Sequence, residues 1–386
     1  MNASSQFNIA IIAGEASGDF LGAKLIKEIN KNIKIKSYFG VGGENMIKEG
    51  FNSLFLMEKI SIIGPLGILY NIKSLLKKIN LTKDYIIKNK PNVLVIIDCP
   101  EFSHRVALKV KKYLPDIIVI NYVSPTIWAW RRNRATNMKK YIDHVLSILP
   151  FEENLYKELN GPKCTYIGHP LIEEFNKNII AKDFTDIDIK SRKKIKLIVM
   201  PGSRFSEVKK LLNPFGKSLF YLSKLYPDIE IVIPTLNNLK DYIEKNTTDW
   251  TFKPLIITSD KQKKIHMREA DAAIVCSGTA TLELALIGLP MVVAYKTQWI
   301  VSFIRFLIPV KSIVLANIIH GGLPIKELFQ WNCNGKKIAN EIIPLLEESH
   351  ERITQLAALD DISKKMYTKD NNPSREAAKI VMNYLM

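Results

Sequence analysis

Short uninterrupted apolar runs recur along the chain, each followed by a small-residue turn and then by apolar residues at helical spacing. The clearest runs are residues 7–13, 93–98, 117–122, 196–200, 231–233, 255–257, 273–276 and 290–295, with shorter ones at 37–39, 145–149 and 166–167. Apolar runs of this length without alternation read as parallel strands covered on both faces. The stretches between them, such as 20–29 and 73–90, repeat apolar residues every three or four positions and read as helices. Residues 176–196 are polar, charged and poorly periodic, which reads as a linker, and the strand–turn–helix pattern restarts after them. The pattern predicts an α/β protein of two Rossmann-like, doubly wound domains facing a cleft. The expected boundaries are 1–185, 186–340 and a helical tail at 341–386.

In open parallel sheets, ligands gather outside the carboxyl ends of the strands, so the turns carry the candidate chemistry. Ala273-Ile274-Val275-Cys276 runs into Ser277-Gly278-Thr279-Ala280-Thr281 and then an apolar helix. At such a junction the first backbone N–H groups of the helix lack intrahelical partners, and small residues let a phosphate reach them. Glu283 follows one turn in. A capping box would need Ser or Thr three residues before it, and Ala280 stands there, which leaves that carboxylate open to ligand hydroxyls. The alternative for the whole stretch is an ordinary strand–helix turn. Each half opens similarly, with Gly14-Glu15-Ala16-Ser17-Gly18-Asp19 and with Gly202-Ser203-Arg204. Asp98 ends a buried strand, where it either faces ligand or caps the next helix. Trp128 and Trp130 beside Arg131, Arg132 and Arg134 form either a phosphate or sugar platform or an interface, and His169 reads first as a hydrogen-bonded turn residue.

Two glycine patterns fall short of known phosphate motifs. In Gly40-Val41-Gly42-Gly43-Glu44-Asn45 an asparagine holds the third glycine position of a dinucleotide fingerprint. Gly216-Lys217-Ser218 resembles the end of a P-loop, but Leu211 replaces the first glycine and the segment lies in a predicted helix, which excludes triphosphate hydrolysis on that motif.

Charge adds a constraint on partners. The 55 Lys and Arg against 38 Asp and Glu leave +17, which suits nucleic acid, an anionic membrane surface or phosphorylated substrates. The lysines are scattered and no aromatic–basic nucleic-acid motif occurs, which leaves composition drift as a further explanation and argues against nucleic acid. The four cysteines, Cys99, Cys164, Cys276 and Cys333, form no CxxC pair, so neither zinc nor any other metal or cofactor is expected and a reduced, cytoplasmic setting is. No signal peptide and no membrane-spanning segment is expected. The apolar stretches 60–72 and 299–319 are broken by Gly, Pro or basic residues and suit either burial or a bilayer surface.

Seven blocks in order carry a family resemblance. They are Ala13 to Asp19, Gly40 to Glu44, Tyr122-Val123-Ser124-Pro125 with Trp128-Ala129-Trp130, Pro150-Phe151-Glu152, Gly168-His169-Pro170-Leu171, Pro201-Gly202-Ser203-Arg204, and Ser277 to Glu283. Together they resemble lipid-A-disaccharide synthases over residues 7–330. The resemblance implies a GT-B fold and an inverting hexosyl transfer from UDP-diacyl-glucosamine to diacyl-glucosamine phosphate (lipid X), at the inner membrane of Gram-negative bacteria. Three blocks depart from the family's pattern: Ser61 to Gly67 lacks a following Glu, Leu315-Ala316-Asn317 replaces Leu-Pro-Asn, and the block from Pro324 to Gln330 is stretched.

On that reading Asp98 is the first candidate for general base and Glu15 the second. UDP and sugar are expected to be held by Gly14, Ser17, Ser203, Arg204, Ser277, Gly278, Thr279, Ala280, Thr281, Glu283, Asn317 and Gln330. A homodimer is a further expectation. The competing readings are another GT-B enzyme acting on UDP-N-acetylglucosamine, either an epimerase or a peptidoglycan-precursor transferase, and a non-enzymatic polyanion-binding protein.

Overall fold

Each apolar run predicted as a strand coincides with one, except that the run at 166–167 only meets the last residue of the strand Lys163–Tyr166, and each described strand pairing is parallel. The computed structural model describes residues 7–57, 60, 65–129, 132–175, 194–296 and 312–386, with the backbone alone over 65–72. Parts of the expected linker and of both apolar stretches, and Trp130 and Arg131, therefore lie outside the described residues. The chain divides into two units, Met1–Glu173 with Tyr367–Met386, and Glu174–Met366.

In the first unit, strands β1 (Asn8–Ala13), β2 (Ser37–Val41), β3 (Phe51–Ser53), β4 (Val93–Ile97), β5 (Ile118–Tyr122), β6 (His144–Ser147) and β7 (Lys163–Tyr166) form one sheet in the order β3-β2-β1-β4-β5-β6-β7. Helices α1 (Ala16–Asn30), α2 (Glu44–Lys48), α3 (Pro65–Asn89), α4 (Pro100–Tyr113), α5 (Asn133–Met138), α6 (Glu152–Glu158) and α7 (Leu171–Glu174) connect them. Ile9, Ile11, Val93 and Val95 enter one core while Ala10, Ile12, Leu94 and Ile96 enter another, because successive side chains of a strand point to opposite faces. α3 starts eight residues before the predicted position, within the apolar stretch.

The second unit repeats the plan with β8 (Lys196–Met200), β9 (Glu230–Pro234), β10 (Leu255–Ile257), β11 (Ala272–Val275), β12 (Met291–Tyr295) and β13 (Glu327–Phe329), ordered β10-β9-β8-β11-β12-β13. Its described α-helices are α8 (Phe205–Leu222), α9 (Asn237–Asn246), α10 (Asp260–Glu269), α11 (Ala280–Leu286), α12 (Leu315–His320), α13 (Gly335–Ile342) and α14 (His350–Met366). The P-loop-like Gly216-Lys217-Ser218 lies inside α8, as expected. In both sheets the order reverses beside the first strand, between β1 and β4 and between β8 and β11. That reversal is the topological switch point at which doubly wound folds open a ligand crevice.

The expected C-terminal tail is not one element. α14 belongs to the second unit, whereas α15 (Pro373–Asn383) returns to the first and buries Ala377, Ala378, Val381 and Met382 in the core that holds Leu21 and Leu25 of α1.

Candidate functional site

The described cavity lies at the second switch point. It holds about 320 Å³ and is lined by the turns after β8, β9, β10 and β11, with Ser203, Arg204, Thr235, Lys263, Gly278 and Glu283 among its walls. Each wall follows from local sequence. After β8, Gly202 has φ of +118°, and a Cβ there would fall 2.6 Å from Glu207 Oε2. Only glycine lets the Glu207 carboxylate fold back, accept from Arg204 N–H at 3.3 Å and cap α8. Arg204 Nη1 reaches the same carboxylate at 3.4 Å, yet its side chain stays 78% exposed and free to turn onto an anion.

After β11, the N–H groups of Thr281, Leu282 and Glu283 bond back to Gly278 O and Thr279 O. Gly278 faces open space, with nothing within 4 Å of where its Cβ would stand, so a ligand can approach this backbone closely. Thr279 is exposed, whereas Thr281 is fully buried and closes the turn by donating from Oγ1 to Gly278 O at 2.8 Å. Ser277 donates its hydroxyl proton to Ile313 O at 3.0 Å, so toward a phosphate it offers backbone and not a donating hydroxyl. Glu283, on the first turn of α11, is half-buried against Lys263 of α10, with which it forms an ion pair.

Asn317 and Gln330, expected to line the donor site, do not line the cavity. Asn317 is buried, donating to Ile325 O at 2.9 Å and Glu327 Oε1 at 2.8 Å and accepting from Ile325 N–H at 3.0 Å. Glu327 also accepts from Ser312 Oγ and from Ile313 N–H at 3.2 Å. Asn317 is thus consumed in fastening the segment that receives Ser277, one layer behind the cavity. Gln330 follows β13 with φ of +52°.

The first switch point holds the two carboxylates. Glu15 is the N-cap residue of α1, and Asp98 follows β4 with φ of +51°, next to Cys99 at +50°. Asp98 Oδ1 accepts from Cys99 N–H at 2.8 Å, and Ser103 Oγ donates to Asp98 O at 2.7 Å. A Cβ on Gly14 would lie 2.4 Å from Cys99 Cβ, so Gly14 serves here as the contact that lets the β1–α1 and β4–α4 turns meet. Burial, joined by the charges of Glu15, Asp98 and Glu101, pushes the Cys99 thiol up to about 12. The sheet thereby brings Glu15 and Asp98, 83 residues apart, to one thiol that stays protonated. Ser17 is exposed in the first turn of α1.

Other candidates are structural. His169 is buried and accepts from Leu171 N–H at 3.2 Å through Nδ1, and burial lowers it to about 4. Trp128 packs edge-on to Phe151, and Arg134 lies 3.6 Å from Glu101. The near-dinucleotide turn after β2 holds an internal anion, since the Asp19 carboxylate accepts from the N–H groups of Gly43, Asn45 and Met46 at 2.8–3.1 Å. The sequence reading missed Thr235, Thr258, Ser259 and Lys263, although hydroxyl residues right after the apolar runs of β9 and β10 were a usable signal. Among the described residues no group of His, Cys, Asp and Glu is placed to hold a metal, and no helix is long and apolar enough to cross a membrane.

Two parallel sheets in Rossmann order, with a small-residue turn and a capped helix meeting at the second switch point, define the two-domain architecture of GT-B glycosyltransferases and related epimerases. The fold matches a UDP-N-acetylglucosamine 2-epimerase described as putative from Listeria monocytogenes with a TM-score of 0.61 at 14% identity, over 98% of this chain and 95% of the other. It matches Acinetobacter baumannii MurG with a TM-score of 0.58 at 12% identity, over 98% and 99%. The sequence is more specific. The family description Lipid-A-disaccharide synthetase matches residues 9–381. The lipid-A-disaccharide synthase of Nitrobacter winogradskyi is 40% identical over 97% of this chain and 94% of its own length, and that of Rickettsia typhi is 36% identical over 97% and 98%. The chain belongs to the lipid-A-disaccharide synthase family, a family of hexosyltransferases.

Proposed function

We propose that this chain transfers diacyl-glucosamine from its UDP carrier to the free hydroxyl of diacyl-glucosamine phosphate, inverting the anomeric centre and releasing UDP. The observation that carries the reading is full-length membership of the family, joined to a cavity at the second switch point whose walls suit a nucleotide diphosphate. The exposed guanidinium of Arg204, the approachable backbone around Gly278 and the dipole of α11 support placing the diphosphate at the turns after β8 and β11. Glu283 takes the ribose hydroxyls. The uracil ring takes the part of the cavity lined by the turns after β9 and β10.

An inverting transfer is a single displacement: the acceptor hydroxyl loses its proton as the C1–O bond to UDP breaks, and the diphosphate takes up the negative charge. Asp98 is assigned as the base, and its constrained backbone and hydrogen-bonded turn support a fixed carboxylate. Glu15 is the reserve candidate. Both substrates are anionic lipids, and the +17 charge supports peripheral binding at an anionic membrane surface.

The test is UDP release in detergent micelles from UDP-diacyl-glucosamine, with and without lipid X, against UDP-N-acetylglucosamine as control. Release requiring both acylated substrates supports the reading, and turnover of the unacylated sugar nucleotide overturns the substrate assignment. Asp98→Ala is expected to lower kcat at least about 100-fold with UDP affinity unchanged. Near-normal turnover would remove Asp98 from the role.

A further inference from the structure

The cavity in the second unit carries an electrostatic problem that its proposed ligand makes acute. Two cations, Arg204 and Lys263, line it against three carboxylates, Glu207, Asp260 and Glu283, a net charge of minus one where a diphosphate is to bind. Glu207 is accounted for, since it caps α8 and contacts Arg204. Asp260 is exposed in the first turn of α10, where its charge is screened by water. Glu283 is different, with a side chain only 17% exposed on the first turn of the helix that follows Ser277-Gly278-Thr279. A carboxylate so little hydrated, left alone, would repel a diphosphate placed in the same cavity.

Its counter-charge comes from another helix. Lys263 stands one turn into α10, where its N–H bonds Ser259 O at 2.9 Å, and its ammonium meets Glu283 Oε2 with 24% of the side chain exposed. The contact engages one carboxylate oxygen, and Oε1 has no protein partner among the described residues. Oε2 is thus matched in charge by the ammonium without a hydrogen bond of its own, and the carboxylate keeps acceptor capacity for a ligand's hydroxyls.

We propose that Lys263 is a positioning residue of the nucleotide site: it cancels the charge of Glu283 and fixes that carboxylate, so one site can accept a ribose diol and a diphosphate together. The proposal rests on the reading that this cavity holds UDP with its ribose at Glu283.

The experiment measures UDP and uridine affinity by calorimetry for the wild type, Lys263→Met, Lys263→Arg, Glu283→Gln and the double variant Lys263→Met/Glu283→Gln, with melting temperatures recorded for each. Lys263→Met is expected to weaken UDP about tenfold and uridine much less, and Lys263→Arg to stay within about threefold of wild type. In the Glu283→Gln background the Lys263→Met loss should disappear, because the charge it compensates is gone. A loss that persists there would make Lys263 an independent phosphate ligand and overturn the proposal. Equal losses for UDP and uridine with a lowered melting temperature would mark a purely structural pair and overturn it too. Failure of the wild type to bind UDP would instead bring down the nucleotide reading itself, with wild-type affinity separating the two failures.

Discussion

Asp98, Cys99 and Val123 adopt φ of +51°, +50° and +71°. Non-glycine residues avoid this region and a β-branched valine avoids it most, so such conformations persist only where the surroundings hold them. All three follow the carboxyl ends of the neighbouring strands β4 and β5, and Val123 N–H is held by Leu146 O at 3.0 Å. The strain thus sits beside the proposed base. A second residue-scale effect concerns pH. Glu152 is buried beneath the β6–α6 turn, accepting from Leu149 N–H at 3.2 Å, and desolvation pushes its carboxyl from 4.5 up to about 8. Between those values the folded chain holds a proton that the unfolded chain has lost, so this group's contribution to stability falls as pH rises and is fully lost above about 8. His104, His144 and His169 act oppositely: burial lowers them to about 3, 4 and 4, so stability falls on acidification below about 6.5. Glu152→Gln isolates the first effect. Its melting temperature relative to wild type should climb from about pH 5 to pH 9, by an amount on the order of a few kcal/mol in stability. A constant difference across that range would show that Glu152 does not titrate there.

At the scale of elements, the helix starts decide which turns are open to ligands. Asp19 on α1 holds the N-terminus of α2 through Gly43, Asn45 and Met46, which makes the most fingerprint-like glycine turn a closed one. Asp19→Ala would leave those N–H groups without their acceptor, and urea unfolding should show a loss of roughly 2–4 kcal/mol. An unchanged midpoint would mean water replaces the carboxylate at no cost. The same contrast explains what could be read from the sequence. Buried parallel strands announce themselves by unbroken Val, Ile and Leu, and the turns after β1, β4, β8 and β11 stood out as small residues between such runs. β3 (Phe-Asn-Ser) and β13 (Glu-Leu-Phe) mix polar with apolar residues and leave no run, whereas the equally short β10 is apolar throughout. Strand order leaves no pattern, yet it alone brings Gly14 to Cys99 and Gly202 toward Ser277. Lys263 was invisible because a lone lysine in a polar helix carries no motif, and its partner lies 20 residues away on the next helix. The burial of Asn317 left no mark either, because a family-like position says nothing about it; its amide bonds all point inward.

On the scale of the whole molecule, the two units depend on different parts of the chain. The second is continuous from Glu174 to Met366, whereas the first is closed by α15 from the far end of the sequence. α15 supplies Ala377, Ala378, Val381, Met382 and Leu385 to the core around β1, and Ser374 N–H donates to Glu173 Oε1 at 2.7 Å while Lys24 holds Oε2 at 2.7 Å. Ending the chain after Met366 would uncover that core and leave the Glu173 carboxylate short of one partner. Losing several fully buried aliphatic side chains costs a small unit several kcal/mol, a large share of its roughly 5–15 kcal/mol of stability. Every wall of the cavity proposed to take UDP lies between Met200 and Glu283, outside the affected unit. Thermal unfolding of the shortened chain should therefore show the first unit's transition lowered or lost. The transition that UDP raises should survive, because a ligand stabilises only the unit that binds it. Full-length chain with saturating UDP should show the same assignment, one transition moving and the other not. Loss of UDP binding on truncation would mean that the C-terminal helix sustains the second unit as well, and that the nucleotide site is not complete within residues 174–366.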